Sequence, residues 1–220
     1  MQVLRSGGGR LPVLTSPYAL PAAAAALTVA TTLDVLAGGL LRRFDAWVFA
    51  DGLPPRTGAW HLFWRTVVNG GQYWLVGSLI ALAAVLAAWR ARDLWLLVRA
   101  GVWLAGTELA IRAAQIAFGR TPPRTGRDVL FADGYLSYPS GHAANAAACL
   151  TVLVLLTGAS RRWAVAAHAL AIGVAVAVVT LGYHWPTDAI AGWGLGAVLA
   201  GVGRAFVPWR WRGSQGPPAH

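Results

Sequence analysis

Residues 135–150, YLSYPSGHAANAAACL, set a tight polar turn, Pro139-Ser140-Gly141-His142, directly against a run of alanines. Ser140 suits a helix N-cap, and the apolar run that follows continues to about residue 158. The turn is therefore the mouth of an apolar helix, with a titratable histidine on its first turn. Five further apolar blocks flank it, at 18–41, 72–90, 94–119, 163–183 and 187–207. Spanning a bilayer takes roughly 20 mostly apolar residues, and most of these blocks reach that length. Hydrophobic residues make up 57% of the chain and charged residues 12%, where a soluble domain carries about a quarter charged. The expected fold is all-α: a polytopic membrane protein with a bundle of six transmembrane helices.

The expected organisation is a flexible cytoplasmic tail over 1–17, one six-helix domain over 18–208, and a disordered tail over 209–220. The glycine-rich, basic start shows no small-residue site after a compact apolar core, which argues against a signal peptide. All 18 basic side chains are arginine. A net charge of +10 suggests nucleic acid as a partner, but the arginines gather at the ends of apolar blocks, where they anchor topology. With six spans, one side collects Arg5, Arg10, Arg90, Arg92, Arg161, Arg162, Arg204, Arg210 and Arg212. The other holds Arg42, Arg43, Arg56, Arg65, Arg120, Arg124 and Arg127, partly balanced by Asp45, Asp51, Asp128 and Asp133. The positive-inside rule then puts both termini in the cytoplasm of a cell-membrane protein. The polar, tryptophan-rich stretch between the first two spans suits an amphipathic piece in the outer interface. Cys149, the single cysteine, lies in an apolar helix and reads as a packing residue.

By parity of crossings, three polar junctions share the outer side. GRTPPRTGRD follows the third span with Arg120, Arg124 and Arg127; PSGH opens the fourth; GYHWPTD joins the fifth to the sixth with His184 and Asp188. These residue types fit a phosphate ligand. Arginine offers a planar fork of donors and stays charged in a partly desolvated site. The helix N-terminus behind Ser140 offers free N–H groups and a favourable dipole, and Gly141 lets backbone approach closely. A neutral His184 can attack phosphorus if an acceptor holds its other ring nitrogen, and Asp188 is the candidate orienting group. His142 can then protonate the leaving oxygen. Glu108 and Arg112, four apart on the third span, are expected to pair, and Arg112 also points towards the reactive end.

The same three stretches resemble the signature of the type 2 phosphatidic acid phosphatase (PAP2) superfamily: K-x6-R-P, then P-S-G-H, then S-R-x5-H-x3-D. Pro139–His142 and His184-x3-Asp188 match it intact. The first-motif lysine has no match: it falls on Gln115 or Ala113 depending on register, and the S-R pair falls on Ala177 and Val178. The resemblance implies a PAP2-type bundle and a phosphohistidine on His184, with His142 as acid, Asp188 as orienting group and no metal or cofactor. Arg120, Arg124, Arg127, Arg112, Gln115, Ser140 and Gly141 are the candidate phosphate ligands. The implied activity is a lipid phosphatase taking an isoprenyl phosphate or diphosphate, phosphatidic acid or phosphatidylglycerophosphate at the outer face. The alternatives are phosphoryl transfer to a sugar or lipid hydroxyl, or a lipid-phosphate-binding protein without turnover. Expected partners are the lipid phosphate and membrane lipids.

Overall fold

The computed structural model describes residues 19–207, which form eight helices and no strand. These are α1 (Ala19–Ala37), α2 (Leu40–Val48), α3 (Gly58–Val68), α4 (Tyr73–Ala91), α5 (Leu94–Phe118), α6 (Gly141–Thr157), α7 (Arg161–Thr180) and α8 (Pro186–Phe206). Five of them, α1, α4, α5, α7 and α8, are long and apolar enough to cross a membrane. The helix expected as the fourth span, α6, has 17 residues. At 1.5 Å per residue it falls somewhat short of a hydrocarbon core of about 30 Å. Five helices of spanning length plus a shorter α6 is thus what stands behind the expected six. The two expected tails, 1–17 and 209–220, lie outside the described residues.

Local chemistry sets the helix ends. Asp93 caps α5, its carboxylate accepting from the Trp95 N–H at 2.9 Å. The first span stops at Ala37 rather than near residue 41, because Gly38 turns left-handed at φ +66°. Asp34 then accepts from the Arg42 N–H at 3.0 Å and starts α2. The stretch expected to lie in the interface is α2 and α3, each too short to span, with Trp47, Trp60, Leu62 and Phe63 exposed.

α6 is the axis of the bundle. Ten of its residues are buried, and it packs against α8, α7, α4 and α5. Its closest neighbour is α8, and small residues make that approach possible. A Cβ at Gly192 would overlap the Ser140 carbonyl, and one at Gly196 would overlap the Ala144 carbonyl. On its other side α8 lays Gly194 against Thr28 of α1. Meanwhile α1, α4, α5 and α7 turn large apolar side chains outward, among them Leu33, Leu82, Leu109 and Val165. Such surfaces suit lipid rather than water.

The ends of the helices sort as parity requires. The starts of α4, α6 and α8 meet the ends of α5 and α7 at one end of the bundle. At the other end, Leu20 of α1, Leu155 of α6, His168 of α7 and Arg204 of α8 line a common hollow.

The seam between α6 and α8 makes a paired prediction. Gly196→Ala places a methyl group on the Ala144 backbone and is expected to cost about 1–3 kcal/mol, the usual cost of overpacking. Gly106→Ala on α5 meets nothing within 4 Å and is expected to be neutral or slightly stabilising. Thermal unfolding of the two variants in the same detergent checks the contrast.

Candidate active site

The loop from Gly119 to Ser140 borders the site and is tied down along its length. Tyr138 stacks edge-on against Phe118 and hydrogen-bonds Thr32 of α1 at 2.6 Å. Trp185 donates its indole N–H to the Thr121 carbonyl at 2.8 Å. Ser140 is the N-cap of α6, its hydroxyl accepting from the Ala143 N–H at 3.4 Å, and its own N–H donates to the Asp188 carbonyl at 2.9 Å. Gly71 lies so close to the His142 carbonyl that a Cβ there would overlap it. The N-terminus of α6 is thereby wedged between α8 and the turn that precedes α4.

His142 and His184 face each other with ring centroids 6.1 Å apart. Both line a cavity of about 260 Å³ with Gly141, Arg112, Gln115, Gln72, Tyr73, Glu108 and Asn145. His184 Nδ1 lies 2.9 Å from the Ser137 carbonyl. A carbonyl only accepts, so Nδ1 carries a proton, and in the neutral ring Nε2 is then the nitrogen with the free lone pair. Asp188 stands further off, with Oδ2 at 3.6 Å from Nδ1. The direct orienting group is therefore the Ser137 backbone, and Asp188 acts through the Ser137 hydroxyl, which donates to it at 2.5 Å. Asp188 also accepts from the Trp185 N–H at 3.0 Å, which starts α8.

Behind Asp188 sits Arg120, with no exposure at all. Its guanidinium donates through Nε and Nη2 to Asp128, at 2.8 and 2.9 Å. Nη1 donates to Thr187 and Asp188, both at 2.7 Å, and Nη2 donates to Asp45 at 2.7 Å. All five N–H groups are used. The sequence suggested Arg120 as a phosphate ligand; here it has no donor left to offer and no route to the cavity. Burial works against its charge, but its hydrogen bonds to Asp128 and the fields of Asp188, Asp45 and Asp128 win, and its pKa is raised. Asp45, held by Thr187 and Arg120, is pushed above the ordinary carboxyl value by its burial. Asp128 is also penalised by burial, yet hydrogen bonds from Arg120 and Arg42 bring it below that value.

The other arginines divide. Arg112 lines the cavity and pairs with Glu108 at 3.5 Å, the expected one-turn contact. Arg124 lies over the Tyr183 ring at 4.9 Å and lines a separate hollow with Phe49, Leu53 and Trp185. Arg127 is exposed on the loop, its carbonyl accepting from Thr121. Arg65 donates to the Tyr183 hydroxyl at 2.8 Å. Among the described residues, Arg112 is the one arginine lining the cavity. Gln115, where one register sets the missing lysine, also lines it, and its amide donates to the Pro139 carbonyl at 3.2 Å.

Sequence reasoning missed Ser137, Asn145 and the positioning role of Asp45. Ser137 stands two residues before Pro139, so proximity to PSGH was its only signal. Asp45 sits 75 residues before Arg120 and carried none.

The sequence profile of the PAP2 superfamily matches residues 96–212. No curated protein sequence matches the chain. Among solved structures, the fold is similar to the "first transmembrane PAP2 type phosphatidylglycerolphosphate phosphatase from Bacillus subtilis". The two agree at a TM-score of 0.59 and 19% identity, over 86% of this chain and 94% of that one.

The Arg120 cluster makes two predictions. Removing one partner of a buried ion network costs about 3–5 kcal/mol, so Arg120→Met is expected to lower thermal stability by that order or to prevent folding. Asp128, with its pKa depressed, contributes stability that is complete above the unfolded-state value of roughly 3.9. That contribution is lost as pH falls through the lower folded value. Asp128→Asn is expected to flatten the acid limb of a plot of melting temperature against pH.

Proposed function

Because the chain belongs to the PAP2 superfamily, we propose that this multi-pass membrane protein is a lipid phosphate phosphatase working through a phosphohistidine. The observation that carries the reading is the His184 ring, its Nδ1 proton held by a carbonyl, facing His142 across a cavity at a helix N-terminus. His184 Nε2 attacks phosphorus and the P–O ester bond breaks, its oxygen taking the proton of His142. Water then attacks the phosphohistidine and the P–N bond breaks. The water proton returns to His142, and phosphate leaves. Each step balances without a redox partner or metal.

Charge stabilisation supplies much of the acceleration in phosphoryl transfer. Arg112, Gln115 and the free N–H groups at the start of α6, with Gly141 leaving room, are the groups that hold the phosphoryl oxygens in this reading. Ser140 keeps that N-terminus in place. Arg124 and Arg127 stand outside the cavity, where they meet the headgroup as it approaches. Ser137, Asp188, Arg120 and Asp45 form the chain of supports behind His184. The candidate lipids remain an isoprenyl phosphate or diphosphate, phosphatidic acid and phosphatidylglycerophosphate. The arginine distribution favours a plasma-membrane protein with cytoplasmic termini and the cavity on the outer face. Residues 18–208 act as a single domain.

Phosphate release from these lipids in detergent micelles, in the presence of EDTA, tests the reading. The purified protein is expected to release phosphate, with His184→Ala and His142→Ala each losing at least about a hundredfold, the scale of general acid–base catalysis. Acid-labile labelling from a ³²P-lipid is expected in the wild type and not in His184→Ala. Release that survives both substitutions would sink the mechanism.

A further inference from the structure

The end of the bundle away from the histidines holds a second hollow, of about 320 Å³, among α1, α6, α7 and α8. Small side chains leave the space: Ala147 on α6, Ala164 and Ala167 on α7, and Ala197 and Ala200 on α8 all line it. Elsewhere small residues let helices close on one another, as where Pro21 of α1 rests on Gly201 of α8. Here the walls stay apart, because α1 and α7 each pack on α8 while no packed face joins them to one another. Two polar side chains line this otherwise apolar space, Arg204 from the last turn of α8 and His168 from α7. Both are exposed, and among the described residues no carboxylate lines the hollow and Arg204 takes part in no ion pair. His168 lies seven residues inside the start of α7 at Arg161, about 10 Å at 1.5 Å per residue. An N–H at that depth faces hydrocarbon, where a donor without an acceptor is costly.

The geometry points to a binding site for one anionic phospholipid, taken from the leaflet opposite the histidines. An arginine at a helix end is by itself an ordinary topological anchor; the hollow beside it and the histidine deeper within it make a site. The guanidinium fork of Arg204 matches the phosphate oxygens. The glycerol ester carbonyls follow the phosphate inward and accept from the His168 N–H. An acyl chain then has a path. A further hollow of about 510 Å³ continues between α1 and α7, lined by Leu27, Ile172, Val176 and Ile190, and Trp193 lines both. From His168 to Val179 that path covers eleven residues of α7, about 16 Å, close to the depth of one leaflet in a hydrocarbon core of about 30 Å. A zwitterionic headgroup fits less well. Its ammonium meets no carboxylate in the hollow, while Arg161 and Arg162 add positive charge at the start of α7. Basic pockets between membrane helices hold anionic headgroups in this way. The site is separate from the catalytic cavity and stands whether or not the protein hydrolyses lipid phosphates.

Native mass spectrometry of the purified chain, in micelles carrying dioleoylphosphatidylglycerol or dioleoylphosphatidylcholine, tests the site. One phosphatidylglycerol per chain is expected, held about tenfold more strongly than phosphatidylcholine, the scale of one charge-assisted hydrogen bond. Excess glycerol 3-phosphate is expected not to displace it, since the tail binds too. Arg204→Gln and His168→Phe are each expected to weaken retention several-fold. Ala197→Leu fills the hollow without removing a charge and is expected to abolish it. Arg99→Gln, on α5 at the same end, and Arg112→Gln, at the catalytic cavity, are expected to retain the lipid as the wild type does. Phosphatidylglycerol is also expected to raise the melting temperature of the wild type and not that of Ala197→Leu. Equal retention of the two lipids, release by glycerol 3-phosphate, or undiminished retention in Ala197→Leu overturns the proposal. So do losses in Arg99→Gln or Arg112→Gln as large as that in Arg204→Gln. A lipid-free dimer gives the gap to a second copy of the chain and overturns it as well.

Discussion

A guanidinium with no access to water must be surrounded by acceptors, and the reactive end of this bundle is assembled around meeting that demand for Arg120. The acceptors come from three places far apart in the chain: Asp45 on α2, Asp128 in the long loop and Asp188 on α8. Arg42 closes the set by donating to Asp128 at 2.7 Å. Buried ion networks gain little net stability over apolar packing, but they tolerate the loss of a member badly. Here the network does geometric work. It draws α2 onto α8, fixes the loop that follows α5, and leaves Asp188 with a single orientation. Ser137 reads that orientation and passes it to the His184 ring. The histidine is held by a chain that ends in charge rather than by one carboxylate.

The spans and the two intact motifs were legible because each is a local pattern. Apolar length marks a crossing helix, and PSGH and H-x3-D carry their spacing within a few residues. Crossing parity then brought the three polar junctions to one end, as the structure has them. What sequence left unread was pairing over distance. Arg120 in a proline-rich loop has the same letters whether it faces a ligand or a set of buried carboxylates. Asp45, 75 residues earlier on an amphipathic helix, and Asp188, 68 residues later at the start of α8, decide between them. The role of Ser137 was hidden for another reason: its contribution to His184 is a backbone carbonyl, which every residue owns. The first span was overread by four residues, since Gly38 breaks it and the apolar run carries on into α2.

The absence of matches at the lysine and S-R positions takes on a physical meaning once the cavity is seen. Ala177 and Val178 are fully buried in the packing of α7, so no cation approaches from that side. Arg112 reaches the cavity from α5 instead, already half-neutralised by Glu108. Under the proposed mechanism, the backbone N–H groups at the start of α6 carry a larger share of the phosphoryl charge than in a site ringed by cations. Such donors are fixed in place by the helix and need no reorganisation as charge develops.

The contact of backbone on backbone between α6 and α8 governs how the bundle can deform. Helices that meet through long side chains can slide as rotamers change, but Gly192 on Ser140 and Gly196 on Ala144 leave no such slack. The two helices move as a single stiff bar, with His142 mounted on one and His184 on the turn leading into the other. Gly71 meets the His142 carbonyl just as closely and ties the turn before α4 to the same bar, so α5 is the wall of the cavity with the most freedom to shift. The mouth of the site can be compliant while its reactive spacing stays a fixed length.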